Sequence, residues 1–202
     1  TKDSDFTRFG TPKYGWWVTG GNIDSMVAHY TAAKRLRSDD AYTPGGKAGK
    51  RPDRATIVYC NRIRELFPDA QIVIGGLEAS MRRFAHYDYW KDEVMPSILV
   101  DSKADILIYG MGEKQTEIIA HELEKGVPAS KIRCRGICYL TNQIELPTDA
   151  GSVASYTKVK ENKLSYAKAT RTEIEEQDAV YGRKIIQKHD HDQFIVQTEP
   201  MP

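Results

Sequence analysis

Three times along this chain an apolar run breaks into a glycine-rich turn and a helix start follows, which constrains the fold more than any other feature. Tyr14 to Gly20 ends in Gly20-Gly21, Gln71 to Ile74 runs into Gly75-Gly76, and Asp105 to Tyr109 runs into Gly110-Met111-Gly112-Glu113. Short apolar runs bounded by glycine read as strands buried on both faces. Strand, turn and helix in alternation make a parallel, doubly wound sheet. Asn22 is placed to cap the first helix, with Asp24 in its first turn. Pro52 suits the first position of a second helix, where Ile57, Cys60, Ile63 and Phe67 fall at helical spacing. Gly126 closes the helix after the third turn. Ile132 to Leu140 alternates as a fourth strand, while Ile98-Leu99-Val100 reads equally as a helix end or a short strand. Ser38 to Arg51 has no periodicity and reads as a long loop.

After Gly151 the texture changes. Residues 155–188 are polar and charged, with Leu164, Ala167, Ile174, Tyr181 and Ile185 near heptad spacing. That predicts one long helix docked by a thin seam, then a final strand at Phe194-Ile195-Val196. The chain thus divides into an α/β unit over 1–150 and a helical arm over 151–202. Lys and Arg number 29 against 28 Asp and Glu, so no global basic field exists to hold nucleic acid. No apolar run is long enough to span a bilayer, and no signal-peptide pattern opens the chain. Three cysteines are too few and odd for a secreted disulfide framework, which points to a reducing, cytoplasmic compartment. Both ends read as cuts within a longer reading frame.

In open α/β sheets, ligands sit beyond the carboxyl ends of the strands. The ligand- or partner-facing candidates there are Gly20, Gly21, Asn22, Gly75, Gly76, Glu78, Gly110, Gly112 and Glu113. The glycines either admit a phosphate or a partner backbone, or simply make tight turns. None completes G-x-G-x-x-G, and Gly45 to Arg51 lacks the first glycine, the hydroxyl residue and the preceding strand of a P-loop. Cys134 and Cys138 make a C-x3-C without a third thiolate, Thr141 standing in its place. They read as small core residues on one side of the sheet. His189-Asp190-His191-Asp192 reads as a solvated helix end. The densest stretch, Gly75 to Trp90, adds Arg82, Arg83, His86 and Asp88. Its arginines can fork onto an oxyanion and its aromatics can stack on a ring. The same residues can equally form a buried network, such as Glu78 with Arg82 one helical turn on. No nucleophile–base pair and no metal constellation can be assembled, so the chain is expected to be catalytically inert.

Gly21 to Met26, Asp40 to Gly46, Arg51 to Ala55, Gly75 to Trp90, Asp101 to Asp105 and Tyr109 to Glu113 resemble, in order, the N-terminal domain of the YgiQ-type radical SAM proteins. His86-Tyr87-Asp88-Tyr89-Trp90 and Tyr42-Thr43-Pro44-Gly45-Gly46 are the most distinctive segments. The resemblance implies an open, mainly parallel, three-layer Rossmann-like sheet of the cobalamin-binding-domain kind. It implies an accessory domain of an iron–sulfur, oxidoreductase-type protein, followed by a radical SAM barrel as its partner. That barrel would hold a 4Fe-4S cluster on C-x3-C-x2-C and cleave S-adenosylmethionine; this chain stops before those cysteines. The D-x-H-x-x-G motif of a cobalamin ligand is absent. The loops Ser38–Arg51 and Arg82/Arg83/His86/Asp88 would face the barrel. The rival expectation is an independent module binding a phosphate-bearing ligand at the strand ends.

Overall fold

The computed structural model describes residues 2–202. A short helix α1 (Asp3–Thr7) precedes strand β1 (Trp16–Thr19) and helix α2 (Ser25–His29). After the long loop come α3 (Ala55–Leu66), β2 (Ile72–Gly75) and α4 (Gly76–Met81). A separate hairpin of β3 (His86–Asp88) and β4 (Glu93–Met95) leads to α5 (Ile98–Ser102), β5 (Ile106–Ile108), α6 (Glu113–Glu124) and β6 (Ile137–Thr141). The remainder is β7 (Gly151–Ser152), α7 (Tyr156–Glu161), α8 (Lys163–Glu175), β8 (Ile185–Lys188) and β9 (Phe194–Gln197).

The fold is mixed α/β around one seven-stranded sheet in the order β1-β2-β5-β6-β9-β8-β7. The three strands predicted from the glycine turns, β1, β2 and β5, pair in parallel, as do β7 and β8. β6 runs antiparallel to both β5 and β9, and β9 antiparallel to β8. Alternation along each strand sends side chains to two cores. Ile72, Ile74, Leu107, Cys138 and Ile195 pack with Cys60 and Ile63 of α3, Ala79 of α4 and Ile98 and Leu99 of α5. Val73, Ile106, Ile137 and Val196 pack on the opposite face with Ile119 and Leu123 of α6. Each fully buried Ile or Leu contributes roughly 1.5–3 kcal/mol.

Several local expectations are corrected. The first helix is capped by Asp24, which accepts from Met26 N at 2.9 Å and Val27 N at 3.2 Å; Asn22 lies exposed in the turn before it. The second helix starts at Ala55, because Arg54 adopts a left-handed conformation (φ 51°) just ahead of it. Ile98–Val100 is helical, with Ser97 Oγ accepting from Leu99 N at 3.2 Å. The single long C-terminal helix does not form. It breaks at Asn162, which ends α7 and whose side chain accepts from Ser165 N at 2.9 Å to start α8. Ile185, assigned to a helix seam, belongs to β8. Strands β8 and β9 continue the central sheet, so this segment is not an appended arm. No helix is long and apolar enough to cross a membrane among the described residues.

Candidate functional site

The carboxyl ends of β1, β2 and β5 gather the predicted residues on one edge of the sheet, and Glu78 is their hub. Its carboxylate, 2% exposed, accepts from Ser25 N at 2.7 Å and Thr56 N at 3.1 Å. Those amides lie in the first turns of α2 and α3, where backbone donors lack intrahelical partners. One carboxylate therefore ties two helix starts to a third helix. Gly20 is required for that approach, since a Cβ there would stand 2.6 Å from Glu78 Oε2. Gly76 (φ +81°) is confined in the same way, because a Cβ would stand 2.5 Å from Thr19 Oγ1.

Three arginines complete this structural network. Arg82 pairs with Asp24 and not with the Glu78 carboxylate; it reaches only the Glu78 carbonyl, at 3.4 Å. Arg54 donates to Asp88 Oδ2 through Nε (3.1 Å) and Nη2 (2.6 Å), while Asp88 Oδ1 accepts from Trp90 N and Lys91 N, both at 2.9 Å. Burial pushes the Asp88 carboxyl up, but Arg54 and the two amides hold it below the usual carboxylate range. Arg51 forks onto the buried Asp40, Nη2 to Oδ2 at 2.8 Å and Nε to Oδ2 at 3.0 Å, and donates to Gly20 O at 2.8 Å. This clamps the long loop onto the end of β1. Nothing short-range in the sequence pairs Arg51 with Asp40, Arg54 with Asp88 or Arg82 with Asp24.

His86 is half-buried on β3; burial takes its imidazole down to about 4, so it is neutral near pH 7. Arg83 is 9% exposed and donates to Gln197 Oε1 and Ser80 O, both at 2.7 Å, while its Nη2 has no partner. It lines a cavity of about 550 Å³ with Ser80, Tyr109, Gly110, Glu113 and Gln115. A second, more open groove of about 370 Å³ runs over β1, β2 and β5 and brings together Gly75, Gly76, Gly110 and Gly112. Gly21 and Asn22 lie on an exposed turn outside both.

The residues do not suit a cubane cluster. Cys138 is fully buried in the core beneath α3–α5, whereas Cys134 precedes β6 and packs against the opposite core. The two do not share a sheet face. Burial pushes Cys138 up to about 12, Cys134 to about 11 and Cys60 to about 12, and a ligand sulfur must be a thiolate. His189 is not solvated either. It lies at the β8–β9 turn, stacked on Tyr156 at 5.5 Å, with Nε2 accepting from Ser97 N at 3.0 Å. Among the described residues, no group of three or more His, Cys, Asp and Glu side chains is placed to hold a metal ion.

Fold and site together define an α/β domain whose polar clusters hold its own loops in place. The family model for the Radical SAM N-terminal domain matches residues 1–202, and the chain belongs to that family. It is 51% identical over 199 residues to a UPF0313 protein of Clostridium botulinum (strain ATCC 19397 / Type A), covering 98% of this chain and 31% of that relative. It is 48% identical over 200 residues to a UPF0313 protein of Clostridium perfringens (strain 13 / Type A), covering 98% and 30%. The chain thus spans under a third of the length of these relatives. No solved structure gives a significant match.

Proposed function

We propose that this chain is the accessory domain of a cytoplasmic radical SAM, Fe–S oxidoreductase-type protein, and that it is inert by itself. The observation that carries the reading is the family match over the whole chain, joined to relatives roughly three times longer. The parent would carry the 4Fe-4S cluster and S-adenosylmethionine in a separate barrel, which is this domain's partner. The edge formed by the ends of β2 and β5 is the docking face. Met81 and Met111 are exposed there and line the cavity, and exposed apolar side chains that lie together mark interaction surfaces. The Ser38–Arg51 loop is clamped at the end of β1, and the Arg82–Asp88 segment is tied by its ion pairs to Asp24 and Arg54, so they would present backbone and aromatic rims to the barrel. An independent binding module is the weaker reading, because it leaves the length of the relatives unexplained.

The test is iron content and EPR on two anaerobically reconstituted proteins, this chain and the longer product of its gene. A cubane signal in the longer product alone, perturbed by S-adenosylmethionine, is expected. A cluster in this chain, or in neither protein, would overturn the reading.

A further inference from the structure

Charge is near balance over the whole chain, with 29 Lys and Arg against 28 Asp and Glu, but it is not evenly spread. The run from Lys34 to Lys50 carries Lys34, Arg35, Arg37, Lys47 and Lys50, all exposed, against one exposed carboxylate, Asp39. The other acid of the run, Asp40, is buried and already paired with Arg51. None of the five cations pairs with a carboxylate among the described residues. Lys34 Nζ donates to Trp90 O at 3.3 Å and Arg37 Nε to Val27 O at 3.0 Å, neutral oxygens that orient the side chains and leave their charge uncompensated. Cations gathered in this way set up a local field that attracts an anion.

The segment is also held in shape. Isolated backbone bridges join Tyr30 to Leu36 and Asp39 to Lys47. Asp40 N donates to Gly46 O at 2.9 Å, and Thr43 Oγ1 donates to Lys47 O at 2.7 Å. Gly45 and Gly46 turn through left-handed backbone (φ +73° and +66°), and a Cβ on either would meet nothing within 4 Å, so the backbone there is open to an approaching chain. A loop ordered in advance loses less entropy when it meets a partner.

Exposed rings flank the cations. Tyr42 is 53% exposed and lines a groove of about 240 Å³ against α2 with Ile23, Val27, Arg37 and Asp39. Tyr89 is 45% exposed; its hydroxyl donates to Ala32 O at 2.6 Å, and Lys34 Nζ lies 4.8 Å from its ring centre. Separate cations among exposed rings suit an unpaired nucleic-acid strand, whose phosphates take the charges and whose bases stack on the rings. In a duplex the base faces are not free to stack. A protein partner would need an apolar core to its interface, and between residues 23 and 50 only Val27 and Leu36 are large exposed aliphatic side chains.

We propose that the Lys34–Lys50 segment binds a single-stranded nucleic acid, its phosphates on these five cations and one unpaired base against Tyr42 in the groove beside α2. The surface belongs to this chain and does not depend on where the parent holds an iron–sulfur cluster.

Fluorescence anisotropy with a labelled oligouridylate of about ten nucleotides tests it on this chain and on the longer product of its gene. Saturable binding is expected in both, with log K falling against log salt at a slope of about −3 to −4, as for five phosphate contacts on a single strand. Lys47→Glu with Lys50→Glu should weaken binding about tenfold or more and flatten that slope. Tyr42→Ala should weaken it about tenfold through lost stacking and leave the slope unchanged. Lys163→Glu with Lys168→Glu, equally exposed on α8, should change neither. All of these side chains are exposed, so unaltered thermal midpoints will separate lost binding from lost fold. No saturable binding, indifference to Tyr42→Ala, or an equal loss from the α8 variant would overturn the site. So would competition by polyglutamate as strong as by unlabelled oligouridylate, since the surface would then fit an acidic protein. Binding by this chain that the longer product lacks would also overturn it, because the rest of the parent would then cover this face.

Discussion

The Glu78 carboxylate occupies the space that a side chain at Gly20 would need: a Cβ there would stand 2.6 Å from Oε2. Gly20→Ala should therefore push Glu78 off Ser25 N or Thr56 N and strand a buried amide, a loss of about 1–3 kcal/mol. Gly151→Ala is the control, since a Cβ there would have its nearest neighbour 3.8 Å away, on unstrained backbone. Urea unfolding of both variants checks this, and equal midpoints would show that the Glu78 carboxylate can step aside without cost.

Arg51 satisfies Asp40 and Gly20 O with three different nitrogens. A lysine cannot reproduce that fork. Arg51→Lys should destabilise the domain by about 1–3 kcal/mol and open the Ser38–Lys50 loop to limited proteolysis. An unchanged cleavage pattern would mean that the loop is held by its own turns, such as Asp40 N to Gly46 O at 2.9 Å.

Glu173 is pushed from 4.5 up to about 7 by burial, with Arg83 pulling it part of the way back. A folded state that holds this proton more tightly than the unfolded chain loses stability as pH rises between those values. Thermal unfolding of the wild type and Glu173→Gln should diverge across that window, the variant being relatively more stable toward neutrality. Parallel profiles would show that the carboxyl is solvated.

Asn162 interrupts what would otherwise be a continuous polar helix, and its side chain starts α8. Asn162→Ala should cost about 1 kcal/mol, read as a lower urea midpoint with the fold retained. Asn162→Asp, which keeps the cap, should restore most of it. Failure of the aspartate to do so would deny the cap its role.

The parallel strands were legible because strands buried on both faces are written as unbroken apolar runs, and Gln-Ile-Val-Ile before Gly75 admits little else. β8 was not legible. Ile185 continues the spacing of Ile174 and Tyr181, and only its pairing with Gly151 of β7 and Gln197 of β9 makes it a strand. The β3–β4 hairpin is short and polar, so period-2 alternation had no room to show. Within the candidate site the sequence located the residues but not their partners. Glu78 answers to amides 53 and 22 positions away, and Arg83 to Gln197, 114 positions on. Such distant pairings leave no local pattern, and the i to i+4 rule pointed instead to Glu78 with Arg82.

The place of β9 has a consequence for synthesis. Among the strands of this sheet the last in chain order is an interior one, paired on one side with β6 and on the other with β8. Until Phe194–Gln197 clear the ribosome, both neighbours present unpaired backbone edges flanked by apolar residues, the arrangement that recruits chaperones or other nascent chains. The sheet closes only when β9 has emerged. A stall or frameshift upstream of Phe194 would leave an open, adhesive intermediate and not a smaller stable domain.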